Sequence, residues 1–177
     1  MKKGVEHFRD GLPLELLVNM RRLHAEGEWF EGELHASALD VEEDDFLRLA
    51  GPMRYRVHVM AAGEEVLARG EVSQRLRCVC GRCATDFELD VREPGFFASY
   101  PRGEVDEFLD LTPELREGIL LALPSYPVCR EDCLGLCVRC GANLNTHPCS
   151  CPPGAREGQW AALDRLGLAP ESKSIQE

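Results

Sequence analysis

The sequence predicts an α+β fold: an antiparallel sheet, or meander, with few helices, followed by a cysteine-rich C-terminal segment that apolar burial alone does not fold. Three observations predict it. Residues 53–92 alternate apolar and polar side chains over successive runs, the period of a half-buried strand. Residues 112–123 carry the start and stop signals of a helix. Residues 125–154 are dominated by Cys, Pro, Gly and Asn and hold few large apolar side chains.

Taken in order, residues 11–23 hold an apolar stretch (Leu12, Leu14, Leu16, Leu17, Val18) that fits a helix or a strand. Trp29 to Leu39 reads as a strand, with Trp29, Glu31, Glu33 and His35 alternating against Phe30, Gly32, Leu34 and Ala36. Residues 42–50, acidic then apolar, suit a surface helix or turn, and the acids from Asp40 to Asp45 a solvated surface. Tyr55, Val57 and Val59 fall on one face of the next strand, and Arg54, Arg56 and His58 on the other. Ala62-Gly63-Glu64-Glu65 supplies a turn, and Val66 to Arg77 the returning strand. Phe87, Leu89 and Val91 alternate with Glu88, Asp90 and Arg92 as a third, which closes the meander at 92. Thr112 is placed to cap a helix, with Pro113 in its first position and Glu114 in its first turn. Leu115, Ile119, Leu120 and Leu123 form its apolar stripe, and Pro124 stops it. A last short helix is expected over 157–168, anchored by Trp160, Leu163 and Leu166. The chain thus divides into an α+β domain (1–124), a cysteine-rich segment (125–154) and a terminal helix and tail (155–177).

Composition narrows the function. The hydrophobic fraction of 44% and charged fraction of 29% are those of a globular protein. No apolar run is long enough to span a bilayer, and the first residues lack the apolar core of a secretory signal, so the expected compartment is the cytoplasm. The net charge is −11, which disfavours gripping nucleic acid by phosphate neutralisation alone. An acidic chain equally suits a basic partner such as a ribosomal protein. Residues 51–92 are the exception, with 7 Lys and Arg against 6 Asp and Glu. There Arg54, Arg56, Arg75 and Arg77, with Arg82 nearby, are candidates to touch RNA phosphate. The alternative is a solvated face paired with Glu64, Glu65 and Glu71. Tyr55, Phe87, Phe96, Phe97 and Tyr100 could stack bases, although strand aromatics usually serve the core.

The nine cysteines carry the chemistry. An odd count without a signal peptide fits metal binding in a reducing compartment better than a disulfide framework. Cys80-Gly-Arg-Cys83 and Cys137-Val-Arg-Cys140-Gly141 have zinc-knuckle spacing: two thiolates in a tight turn converge on one tetrahedral cation. Cys137, Cys140, Cys149 and Cys151 can surround one ion. By subtraction Cys80 and Cys83 would take Cys129 and Cys133, stapling the tail to the sheet. The expected cofactor is therefore one or two structural Zn2+ ions. His147 could replace Cys149 or Cys151, and Cys78 reads as a small buried hydrophobe. Arg82 would favour nearby thiolates. Four thiolates leave no open position for water, and no HExxH, Gly-x-Ser-x-Gly or phosphate-cradling loop is present, so no enzyme is expected. Two enzyme alternatives remain: a thiol redox protein using Cys80 and Cys83, and a nuclease using Glu104, Asp106, Glu107 and Asp110.

One ordered series resembles a known family. Cys80-Gly-Arg-Cys83 follows a strand; Glu104-Val-Asp-Glu is acidic; a helix runs into Ile119-Leu-Leu-Ala-Leu-Pro124; then come Pro127-Val-Cys129, Cys133-Leu-Gly-Leu-Cys137-Val-Arg-Cys140-Gly-Ala-Asn-Leu-Asn145 and Gln159-Trp-Ala-Ala-Leu163. This is similar to the cysteine-rich form of the YceD-like family of large ribosomal RNA subunit accumulation proteins, over residues 53 to 168. The resemblance implies a role in accumulation or processing of large-subunit ribosomal RNA, through ribosome assembly, with that RNA or a large-subunit ribosomal protein as partner.

Overall fold

A computed structural model describes residues 8–24, 26–105 and 107–151. The expected terminal helix with Trp160, Leu163 and Leu166 lies outside them. The described part is mostly antiparallel sheet with one α-helix. Short strands β1 (Phe8–Arg9) and β2 (Leu12–Pro13) pair with each other, and β3 (Leu17–Asn19) is followed by β4 (Glu28–Leu34). Three long strands then form the meander: β5 (Leu47–Ala62), β6 (Glu65–Val79) and β7 (Asp86–Pro101). Strand β8 (Phe108–Asp110) returns to pair with β3, and helix α1 (Thr112–Ala122) follows. The main sheet has the order β4-β5-β6-β7. Among the described residues no helix is long and apolar enough to cross a membrane.

The alternation read from the sequence decides which face is covered. Val57 and Val59 of β5, Val66, Ala68, Val72 and Leu76 of β6, and Val91, Phe96 and Ala98 of β7 are buried on one face. Leu115 and Ile119 of α1 close it, together with Val18 and Leu109 from the β3–β8 pair. The opposite face keeps its polar side chains in water. Gln74 is an exception, a polar side chain only 1% exposed within the core strand. Its Nε2 donates to the Gly51 and Arg75 carbonyls at 2.6 and 2.9 Å. Gly51 lies where the β5–β6 register slips between Leu49 and Met53, so Gln74 satisfies a carbonyl that the ladder leaves open.

Several expected elements are corrected. The strand from Trp29 ends at Leu34, and Ala36–Leu39 form a 3-10 turn. His35 causes the break, because its Nδ1 accepts the Ser37 N–H at 3.2 Å. Of helix or turn over residues 42–50, the turn holds at its start: Asp44 Oδ1 accepts the Phe46 and Leu47 N–H groups, both at 2.8 Å, and Leu47 begins β5. Asp44 therefore shapes backbone as well as facing water. Strand β7 continues to Pro101, well beyond Val91. Thr112 does not cap α1. The residue before the helix is Leu111, without a side-chain cap, while Asp110 Oδ1 accepts the Thr112 N–H at 2.9 Å. The Thr112 hydroxyl instead accepts the Leu16 N–H at 2.8 Å and ties the helix start to the segment before β3.

Candidate metal centre

The turn joining β6 to β7 is the first Cys-x-x-Cys unit. Cys80 N–H donates to the Thr85 carbonyl and Ala84 N–H to the Cys80 carbonyl, both at 2.9 Å. The second unit repeats this turn, with Gly141 N–H donating to the Cys137 carbonyl at 2.9 Å. In both, the residue after the second cysteine is left-handed: Ala84 at φ 55° and Gly141 at φ 72°. Glycine adopts that conformation freely. Gly81 has a different reason to lack a side chain. A Cβ there would lie 2.6 Å from the Tyr126 ring, and the Tyr126 hydroxyl donates to the Gly81 carbonyl.

The structure brings eight sulfurs into two groups. Cys80, Cys83, Cys129 and Cys133 form one, and Cys137, Cys140, Cys149 and Cys151 the other, with the ligand atoms of each group all within 4.8 Å of one another. Within the first, Cys80–Cys133 is 3.9 Å and Cys83–Cys129 is 3.7 Å. Within the second, Cys140–Cys149 is 3.5 Å and Cys137–Cys149 is 3.3 Å. Metal–sulfur bonds of about 2.3 Å in a tetrahedron put ligand sulfurs about 3.8 Å apart. The donor set and its spacing therefore fit a four-coordinate thiolate ion. Cys78 stands apart at 2% exposure in the sheet core, where burial pushes its thiol pKa up. His147 joins neither group; its Nδ1 lies 2.8 Å from Thr146 Oγ1.

Backbone amides aim at the sulfurs. Cys129 N–H donates to Cys80 Sγ at 3.4 Å, Arg139 N–H to Cys137 Sγ at 3.4 Å, and Cys151 N–H to Cys149 Sγ at 3.3 Å. Burial pushes the Cys80 thiol up, but the amides of Cys129, Cys83 and Arg82 outweigh it and bring it down to about 6. Amides of Cys140 and Arg139 and the Cys149 thiol lower Cys137 to about 6. Burial, then the neighbouring Cys80, Cys133 and Cys83 sulfurs, push Cys129 up to about 12. Cys149 and Cys140 push Cys151 up to about 12. Each group thus ionises part-way alone, and a bound cation would let all four thiolates coexist.

The groups differ in setting. Cys80, Cys83 and Cys133 are buried, whereas Cys140 is exposed. They are also tied together through side chains that the spacing argument did not assign. Asn145 Nδ2 donates to Cys133 Sγ at 3.4 Å, and its Oδ1 accepts the Leu134 N–H at 2.9 Å. Asn143 Nδ2 donates to Thr85 Oγ1 at 3.1 Å, and that oxygen lies 3.4 Å from Cys83 Sγ. The short Asn143-Leu-Asn145 run was the available signal, and its structural role is this bridge. Arg82 also differs from expectation. Its guanidinium donates to the Glu131 and Cys133 carbonyls at 3.0 and 3.3 Å, so it holds the tail loop.

The arginines expected to meet phosphate are engaged by carboxylates, though not by Glu64, Glu65 or Glu71. Arg54 pairs with Glu33 at 2.8 Å, Arg56 with Glu31 at 3.7 Å, Arg75 with Asp90 at 3.1 Å and Arg77 with Glu88 at 3.9 Å. Of the aromatics, Phe96 is buried, and Tyr55, Phe87 and Tyr100 pack partly into the core, but Phe97 is exposed. Of the acidic set, Asp106 is outside the described residues, Glu107 pairs with Arg21 at 3.6 Å, and Asp110 serves the start of α1.

Comparison with known proteins supports the resemblance over part of its expected span of 53–168, from residue 98 onward, which leaves Cys80 and Cys83 outside the family match. The family described as large ribosomal RNA subunit accumulation protein YceD matches residues 98–167. An uncharacterized protein of Mycobacterium tuberculosis is 33% identical over 138 residues, covering 67% of this chain and 63% of the relative. One of Mycobacterium leprae is 30% identical over 135 residues, covering 68% and 61%. A chloroplastic large ribosomal RNA subunit accumulation protein YCED homolog of Zea mays is 41% identical over 54 residues, covering 30% of this chain and 18% of the relative. The chain thus spans less than two thirds of the length of the mycobacterial relatives. No solved structure matches. The likeness to the YceD family of large ribosomal RNA subunit accumulation proteins, read first from the order of the cysteines, is thereby shown, with the family pattern lying on residues 98–167.

Proposed function

We propose that this chain is a non-catalytic factor, stabilised by two structural Zn2+ ions, that supports accumulation of large-subunit ribosomal RNA in the cytoplasm. It acts by binding, with ribosomal RNA or a large-subunit ribosomal protein as partner. The observation that carries the reading is the pair of all-sulfur tetrads on a chain with the YceD pattern. Soft thiolates at tetrahedral spacing select zinc among the common divalent ions, and four of them leave no position for a reacting water. The ions' work is then mechanical. The first fastens the tail to the β6–β7 turn, and the second shapes the tail beyond it. Cys80 and Cys83 act as ligands in this reading and not as a redox pair.

Native mass spectrometry of the purified chain should find two zinc ions, falling to one in Cys80→Ser and to one in Cys137→Ser. In cells depleted of the protein, large-subunit ribosomal RNA should fall relative to small-subunit RNA, and Cys137→Ser should restore it poorly. Metal-free protein whose thiols cycle with a reductant would turn the assignment toward redox chemistry. Unchanged ribosomal RNA on depletion would end the functional reading.

A further inference from the structure

The solvent face of the main sheet is built in cross-strand rows, and one row differs from the others. Trp29 faces His58, His58 faces Arg69, and Arg69 faces Phe97, so four strands each contribute one side chain. Trp29 is 55% exposed and Phe97 64% exposed. Most other rows on this face contain a carboxylate: Glu31 and Glu71 flank Arg56, Glu33 faces Arg54, Asp90 faces Arg75 and Glu88 faces Arg77. The Trp29 row has none, and among the described residues Arg69 makes no ion pair. The adjoining row, Met60–Leu67–Ser99, is uncharged as well. Arg56 covers one side of Trp29 at 4.9 Å, and the His58 ring lies 5.1 Å from it at 50°. Both contacts hold the indole in place on the sheet.

We propose that the row Trp29–His58–Arg69–Phe97 is a stacking platform for unpaired bases of a single-stranded RNA segment, with Arg69 meeting a phosphate between them. The inference rests on the function proposed above and names its partner and surface. Strands about 4.8 Å apart put Trp29 and Phe97 about 14 Å apart across the sheet. A four-stranded sheet displays two or three splayed bases on such a span. Charge selects the same class of partner. A chain of net charge −11 cannot hold a duplex by releasing many counterions. Stacking on exposed rings needs no charge, and duplex bases are not available for it. One unpaired guanidinium implies few phosphate contacts. Binding should therefore weaken only gently with salt, by a log–log slope of about −0.7 to −1.4 for one or two phosphates.

The test is fluorescence anisotropy of a fluorescein-labelled single-stranded RNA of about ten nucleotides, and of the same sequence as a duplex, with the full zinc-loaded chain. The single strand should bind better than the duplex. Trp29→Ala and Phe97→Ala should each weaken binding by about fivefold or more, and Trp29→Phe should retain most of it. Arg69→Gln should flatten the salt slope by about 0.7, while the ion-paired Arg75→Gln should leave affinity almost unchanged. All these side chains are exposed, and unchanged circular dichroism and zinc content verify the fold. Equal binding by wild type and both aromatic variants overturns the platform, as does equal affinity for duplex. No binding of RNA by the wild type also overturns it. If cells carrying Trp29→Ala then lose large-subunit RNA, the face serves a protein partner, and the proposed function survives. RNA binding as expected, with ribosomal RNA unaffected by depletion, would instead sink that function and leave the platform standing.

Discussion

At the scale of single residues, protons and a bound metal would compete for the same sulfurs. Cys80 and Cys137 have folded-state values near 6, below their ordinary 9. Their ionised forms therefore contribute stability that is complete above 9 and lost as the pH falls through about 6. Cys129 and Cys151, pushed up to about 12, still carry protons at neutral pH and must release them when a cation enters. Zinc affinity should thus fall on acidification, and more steeply below about 6, where Cys80 and Cys137 must also give up protons. Competition titrations with a chelator on either side of that pH read the change in slope; an unchanged slope would contradict it. The left-handed residues give a second expectation. Gly141→Ala should weaken the second site by about 1 kcal/mol, since a Cβ is penalised at positive φ. Ala84→Gly, relieving the same penalty in the first turn, should cost little. Metal retention in graded chelator compares the two.

Among the elements, the β5–β6 pair depends on a buried polar contact and α1 on apolar packing. Replacing Gln74 by Leu would leave the Gly51 carbonyl without its donor, at a cost of about 1–3 kcal/mol. Urea unfolding would measure it, and a stability equal to wild type would show that water reaches that carbonyl. Helix α1 draws its stability from tertiary packing, as an eleven-residue helix is marginal alone. Leu115→Ala should cost about 2–5 kcal/mol, because Leu115 is fully buried against the sheet. The period-two pattern made the meander legible, and Pro113 and Pro124 bracketed the helix. The strand end at Leu34 was not legible, and helix or turn stayed open over 42–50, since each depends on a side chain bonding to nearby backbone, where periodicity carries no information.

Across the whole molecule, two kinds of core are joined end to end. The sheet and α1 share an apolar cluster whose one cysteine, Cys78, belongs to neither tetrad, whereas a second cluster consists of Cys80, Cys83 and Cys133 with a few apolar neighbours. Chelation should therefore release the segment beyond Tyr126 while the meander stays folded. Hydrogen exchange should show amides near Cys137 and Leu144 exchanging freely in the apo protein, with β5–β7 amides still protected. Simultaneous loss of protection throughout would mean that the tail supports the sheet.

The amino-acid order by itself determined the strand faces, the helix span, the two knuckles and the family likeness, because each is written in local spacing. Only the tertiary structure decided which arginines have partners, why Arg82 and Asn145 matter, and that Trp29 and Phe97 share a row. Those facts depend on cross-strand register and loop closure. Register joins residues far apart in the chain, and a slip of one residue would turn each of these side chains to the opposite face.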